Sequence, residues 1–190
     1  MCQGECIVYA SWKQEESLEF ILLIIKKMKP TIQEEKNFCF YVSGFVDGEG
    51  CFSVSFRHLS KLVVGFETKV SFAVGQKQTK KNYALLERIR ILFNGGSIRE
   101  SKGDNCYKYE TRKLDHIRKE IIPFFNKYPL YSSKSLDFEL FSKICSLVAA
   151  KQHLNKTGLL RIIDLAESMN PSGKRRTELL NIRAQLRENL

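Results

Sequence analysis

The apolar positions of this 190-residue chain change period several times, and each change marks an element. Over 15–29, Leu18, Ile21, Leu22, Ile25 and Met28 recur at helical spacing, with glutamates before them and lysines behind, which suits the helix macrodipole. Pro30 ends that helix, and 31–37 reads as a polar linker, so residues 1–36 are set apart as an extension. A second helix is predicted over about 37–48. Over 51–58 the period drops to two: Phe52, Val54 and Phe56 alternate with Ser53, Ser55 and Arg57. Over 64–74 it stays at two, with Val64, Phe66, Val70, Phe72 and Val74 opposite Gly65, Glu67, Lys69, Ser71 and Ala73. The pair predicts a hairpin with one apolar and one polar side.

Helical period returns over 81–93 through Tyr83, Leu86, Ile89 and Phe93, and Asn94-Gly95-Gly96 stops it. Two short strands follow, over 97–101 and 106–111, joined by the turn Lys102-Gly103-Asp104-Asn105. A helix over about 115–122 closes an α-β-β-α-β-β-α unit of the α+β class. Its antiparallel sheet is covered by helices on one face and presents Ser53, Ser55, Arg57, Lys69, Ser71, Arg99, Ser101, Cys106 and Lys108 on the other. Beyond it the pattern gives a proline-broken segment over 123–129 and helices over about 135–150, 157–169 and 177–190, the last amphipathic through Leu179, Ile182 and Leu186. The division predicted is an extension over 1–36, a core over 37–169, and a basic linker and helix over 170–190. No internal repeat is present.

Composition narrows the classes. With 43% hydrophobic and 27% charged residues, 11 Gly and 4 Pro, the chain is globular rather than collagen-like or disordered. No apolar run approaches the roughly 20 residues of a membrane span, so no membrane partner is expected. The glutamates ahead of the first apolar run argue against a secretory or transit leader, and six cysteines without a C-x-x-C pair read as reduced thiols of an intracellular protein. Net charge is +10, and the stretch 51–113 alone holds 13 basic against five acidic side chains. Such concentration suits a polyanion-binding surface, although a solvated basic face has the same composition.

The chemistry concentrates in Val42-Ser43-Gly44-Phe45-Val46-Asp47-Gly48-Glu49-Gly50. Ser43, Gly44, Asp47 and Gly48 are small or polar on a helix that also carries Phe38, Val42 and Phe45, which lets a second helix approach closely. Two carboxylates then arrive at the helix end between glycines that permit a turn and leave carbonyls open to a cation. Taken alone, Asp-Gly-Glu-Gly also reads as an acidic turn, and it does not match the calcium-loop spacing.

The whole helix–acid–strand arrangement resembles the LAGLIDADG homing endonucleases, over about 37–176. Phe72-Ala73-Val74-Gly75-Gln76 is similar to the family's strand ending in a polar active-site residue. The run Ile122-Pro123-Phe124-Phe125-Asn126-Lys127-Tyr128-Pro129-Leu130 is similar to the signature after its third helix, and Lys134 falls where the family keeps a basic residue. His153-Leu154-Asn155 and Gly173-Lys174-Arg175-Arg176 continue the likeness. The resemblance implies that Glu49 is the metal-binding acid, that Gly48 lends the metal a carbonyl, and that Gln76, Lys80 and Lys134 ring the attacking water and the phosphate. It implies that Asp47 caps or orients the helix end. Glu49 stands where many members have Asp, and Gln76 and Lys80 read equally as surface residues.

By the same resemblance the activity is site-specific double-strand DNA cleavage with Mg²⁺, or Mn²⁺ in its place, leaving short 3′ overhangs. A single motif copy implies a C₂ homodimer on a pseudo-palindromic site, joined through Ser43, Gly44, Asp47 and Gly48. Candidates for DNA contact are Ser53, Ser55, Arg57, Lys69, Ser71, Lys77, Arg99, Ser101, Lys108, Lys174 and Arg175. The family suggests encoding by an organellar intron, hence a chloroplast or mitochondrion. Competing readings are an RNA-binding maturase on the same scaffold, a DNA-binding protein without catalysis, and a nuclease built on Glu67-Thr68-Lys69; retention of Glu49, Gln76 and Lys134 favours the homing nuclease.

Overall fold

The computed structural model describes residues 31–101, 103–169 and 173–188, without the side chains of 173–178 and 187–188. The helix expected over 15–29 and the side chains of Lys174 and Arg175 lie outside the described residues.

Helix α1 (Ile32–Glu49) begins five residues earlier than the hydrophobic pattern indicates. Thr31 and Glu34 form a capping box: the Thr31 hydroxyl accepts from the Glu34 N–H while the Glu34 carboxylate accepts from the Thr31 N–H. The polar stretch taken for a linker is therefore the first turn of a helix. Strands β1 (Gly50–His58) and β2 (Phe66–Lys77) form the hairpin, and α2 (Lys80–Leu92) follows under a Thr79 cap. Strands β3 (Ser97–Ser101) and β4 (Cys106–Thr111) complete an antiparallel sheet of order β1-β2-β4-β3.

Helix α3 is composite, with an α-helical turn Leu114–His116, a π-helical stretch Ile117–Ile121 and a further α-helical stretch Ile122–Lys127. The proline-broken segment expected over 123–129 is thus mostly helix. The Ile122 N–H bonds back five residues to Ile117, and the wider turn ends where Pro123, which has no N–H to give, begins the next stretch. Helices α4 (Lys134–Ala149), α5 (Lys156–Glu167) and α6 (Gly173–Glu188) finish the chain. Helix α6 is fixed by buried Leu179, Ile182 and Leu186 and by Arg183, which pairs with Asp164 and Glu167 of α5.

The register confirms the two-sided sheet. Phe52 faces Phe72 and Val54 faces Val70 on the helix side, while Ser53 faces Ser71, Ser55 faces Lys69 and Arg57 faces Glu67 on the other. Rings of Phe52, Phe72, Phe93, Phe125 and Tyr109 interlock beneath the sheet at centroid separations of 5.2–6.2 Å. Gly96, at φ +84°, lies so close to Tyr109 that a Cβ there would meet the ring at 2.5 Å, which ties the turn before β3 to this core. Among the described residues no helix is long and apolar enough to cross a membrane.

Candidate nucleic-acid interface and hydrolytic site

Helix α1 stops because Gly50 leaves the helix while its N–H still bonds to the Val46 carbonyl. A Cβ on Gly50 would lie 2.5 Å from the Val46 side chain, so only glycine lets the strand start this close to the helix. The two acids before it point to different places. Asp47 is tied to the segment ahead of α4. One carboxylate oxygen accepts from the N–H groups of Tyr131 at 3.0 Å and Ser132 at 2.9 Å, the other from the Ser132 hydroxyl at 2.6 Å. Partial burial works to raise the Asp47 pKa, but these bonds and the Lys134 charge together hold it below its ordinary value. Glu49 is exposed and lies at one end of a groove whose floor is the polar face of the sheet.

Lys134 completes this corner. Its N–H donates to the Ser132 hydroxyl at 3.1 Å, and its ammonium donates to the Gly50 carbonyl at 2.6 Å. The Asp47–Ser132 clamp therefore fixes where α4 starts, and Lys134 reaches back to the residue after Glu49. Sequence reasoning missed Ser132 and Tyr131, since no local pattern signals a contact across 84 or 85 positions.

Val74 faces Gly50 across the hairpin, so Gln76 lies two residues farther along β2, beside the point where α1 enters the sheet, with the side-chain parity of the helix side. Lys80 is exposed in the first turn of α2, with no hydrogen bond to Glu49, Gln76 or Lys134 among the described residues. No cluster of three or more His, Cys, Asp or Glu able to hold a metal occurs among the described residues. What the chain offers a hard cation is the free Glu49 carboxylate and the Gly48 carbonyl in the last helical turn. Those are oxygen donors of the type Mg²⁺ takes alongside substrate phosphates.

The strip expected to meet a second helix divides between two lines of α1. Ser43 and Asp47 lie four apart on one line of α1, and that line faces the chain itself. Ser43 is 5% exposed and its hydroxyl donates to the carbonyls of Tyr128 and Pro129. Gly44 and Gly48 occupy the next line round, where an added Cβ meets nothing within 4 Å. Beside them Phe40 and Tyr41 are about half exposed. The open face of α1 is thus Phe40, Tyr41, Gly44 and Gly48.

On the polar sheet face the basic residues stand together but not alone. Arg57 and Lys69 share Glu67, Arg99 and Arg112 share Glu110, and Lys108 pairs with Asp104. Burial acts to raise Glu67, yet Arg57 and Lys69 bring its pKa below the ordinary value; the Lys108 hydrogen bond does the same for Asp104. Ser101 and Lys77 lie on the same face, both opposite Cys106. The carboxylates were the unread part of this surface. The alternation that selects Lys108 also selects Glu110, two residues on.

A LAGLIDADG endonuclease family profile matches residues 42–145. A 50.9 kDa protein of ND4 intron 1 from Podospora anserina is 33% identical over 61% of this chain and 25% of its own length. The homing endonuclease I-TnaI superposes with a TM-score of 0.71 at 30% identity, covering 78% of this chain and 97% of that one. The I-SmaMI LAGLIDADG homing endonuclease bound to cleaved DNA superposes with a TM-score of 0.69 at 34% identity, covering 76% of this chain and 48% of that one. The chain spans about a quarter of the length of the curated relatives it matches.

Proposed function

The chain belongs to the LAGLIDADG endonuclease family, and on that footing we propose that it is a site-specific double-strand DNA endonuclease that works as a homodimer. The observation that carries the reading is the corner described above, where an exposed Glu49 and a Lys134 anchored on Gly50 stand at the end of a groove lined with Arg and Lys. The reaction is hydrolysis of a phosphodiester: a water oxygen bonds to phosphorus and the bond to the 3′ oxygen breaks. Glu49 and the Gly48 carbonyl would hold Mg²⁺, or Mn²⁺, which would supply a lowered pKa for water and positive charge against the phosphate. Lys134 supplies a positioned cation for the charge that develops on phosphorus. Gln76 orients the water through its amide, and Lys80 contributes from the start of α2.

Two findings support the pairing. The folded unit that nearly fills I-TnaI is half of I-SmaMI, and α1 presents a glycine-lined face on which Gly44 and Gly48 have open space and Phe40 and Tyr41 stay about half exposed. The sheet faces of two copies then form one basic saddle for the major groove, with Ser53, Ser55, Arg57, Lys69, Ser71, Lys77, Arg99, Ser101 and Lys108 toward base edges and phosphates. The intron named for the Podospora relative supports an organellar intron product acting in a mitochondrion or chloroplast. The test is cleavage of a randomised plasmid library with Mg²⁺ followed by sequencing of the ends. The expected result is a recurrent pseudo-palindromic site with short 3′ overhangs; ends scattered over the library, or none, would overturn the reading.

A further inference from the structure

The ion pairs on the sheet face separate its arginines by what they leave free. Arg57 spends both Nε, at 2.9 Å, and one Nη, at 2.7 Å, on a single Glu67 oxygen that Lys69 also approaches. Arg99 differs. Its Nε donates to Glu110 at 3.2 Å, and among the described residues neither terminal Nη has a partner. Glu110 is 12% exposed and is itself held from its other oxygen by Arg112 at 3.1 Å. It therefore holds the guanidinium by its Nε and leaves both terminal Nη groups unspent on a side chain that lines the groove.

Arg99 faces Lys108, which faces Gly75, and the next row is Ser97, Glu110 and Ala73. The Lys108 stem lies over Gly75, where a Cβ would meet it at 3.3 Å, so in the Arg99 row Lys108 lies down along the sheet rather than standing between Arg99 and the groove. A fixed planar fork with two outward donors matches the O6 and N7 acceptors of guanine in the major groove, the commonest specific base contact. Lysine can donate to the same two acceptors, but as a point charge on a flexible stem it lacks the planar fork that fixes both bonds at once.

We propose that Arg99, held by Glu110, is a specificity-determining residue that reads one guanine in each half of the target, with Glu110 as its positioning residue. This rests on the DNA-cleavage reading above and adds to it which side chain reads which base. Glu110 also offsets the Arg99 charge, so unrelated DNA gains little from it.

The experiment is selection of bound sites from randomised DNA by the full chain and by Arg99→Met and Glu110→Gln, followed by affinity for the selected site with 7-deazaguanine, which lacks the N7 acceptor. The wild type is expected to select a site with an invariant guanine in each half, a preference that Arg99→Met, which has no donor, loses at that position alone. Placing 7-deazaguanine there should weaken wild-type binding by about tenfold or more and leave Arg99→Met unchanged. Glu110→Gln should relax the same position while raising affinity for unrelated DNA. If the wild type selects a site whose bases are identical for Arg99→Met, the assignment falls and the endonuclease reading stands. If the wild type selects no DNA site, both fall.

Discussion

The two ends of the polar groove handle charge in opposite ways. On the sheet face Arg57, Lys69, Arg99, Lys108 and Arg112 each touch a carboxylate. At the helix end Glu49 is exposed, and the nearby cation, Lys134, is anchored on a carbonyl rather than on an acid. The difference separates two tasks. Surface pairs are worth little in stability, about 0–1 kcal/mol each, so in the proposed complex the pairs on the sheet would act by setting side-chain directions and damping attraction for arbitrary DNA. An exposed carboxylate near a fixed cation can take charge partners from outside the chain, which in the proposed reaction are a metal ion and a phosphate.

The largest expected effect comes from denying the open end its second copy. Gly44 has free space around it in the single chain, so Gly44→Leu should leave the subunit folded while overpacking a helix pair by about 1–3 kcal/mol at each copy. Sedimentation should show a dimer become monomer with loss of double-strand cleavage and an unchanged circular dichroism spectrum; a fully active dimeric mutant would place the interface elsewhere. Lys134→Met removes the cation but no DNA-reading residue. Single-turnover cleavage should slow by roughly 10²-fold, the range for loss of a group that stabilises transition-state charge, with target affinity little changed.

Asp47→Asn loosens the clamp between α1 and α4. It should lower unfolding free energy in urea by about 1–2 kcal/mol, the scale of hydrogen bonds to a charged group. Because the Asp47 pKa is lowered on folding, its contribution is complete above the ordinary value of 3.8 and is lost as pH falls through the lower folded value. The difference between wild type and mutant should therefore shrink on acidification; a difference that grows would contradict the clamp. The smallest effect is a salt slope. With Lys77 included, the sheet face of each subunit keeps about three uncompensated cations, so two subunits should give a log–log binding slope near −5, at roughly −0.9 per phosphate. Glu110→Gln should steepen that slope by about one to two, and an unchanged slope would mean the pair lies off the DNA.

Much of this was legible in the chain. Period-two alternation placed Phe52, Phe72 and Val74 on one face and Ser53, Ser71 and Lys108 on the other because a strand can bury only one side. The motif placed Glu49 at a helix end because glycines on both sides allow little else. What could not be read depended on long-range contact. Ser43 and Asp47 looked available to a partner helix, but the segment 128–132 had already claimed them. Pro123 looked like a break, but a π-helical stretch before it absorbs the missing donor. The acids Glu67 and Glu110 matter through partners that only the hairpin register and the β3–β4 pairing bring within reach.

The central claim is that each subunit brings one acid to one strand of the same DNA site. Its most direct test is a mixed dimer of one wild-type and one Glu49→Gln subunit, separated by differential tagging and given the selected target with Mg²⁺. The Glu49→Gln homodimer should bind within about tenfold of wild type and cut neither strand, because the amide keeps the shape but loses the charge that holds a divalent cation. The mixed dimer should nick a single strand at the wild-type subunit's position. Double-strand breaks from the mixed dimer, or Mg²⁺-dependent cutting by the mutant homodimer, would contradict the account.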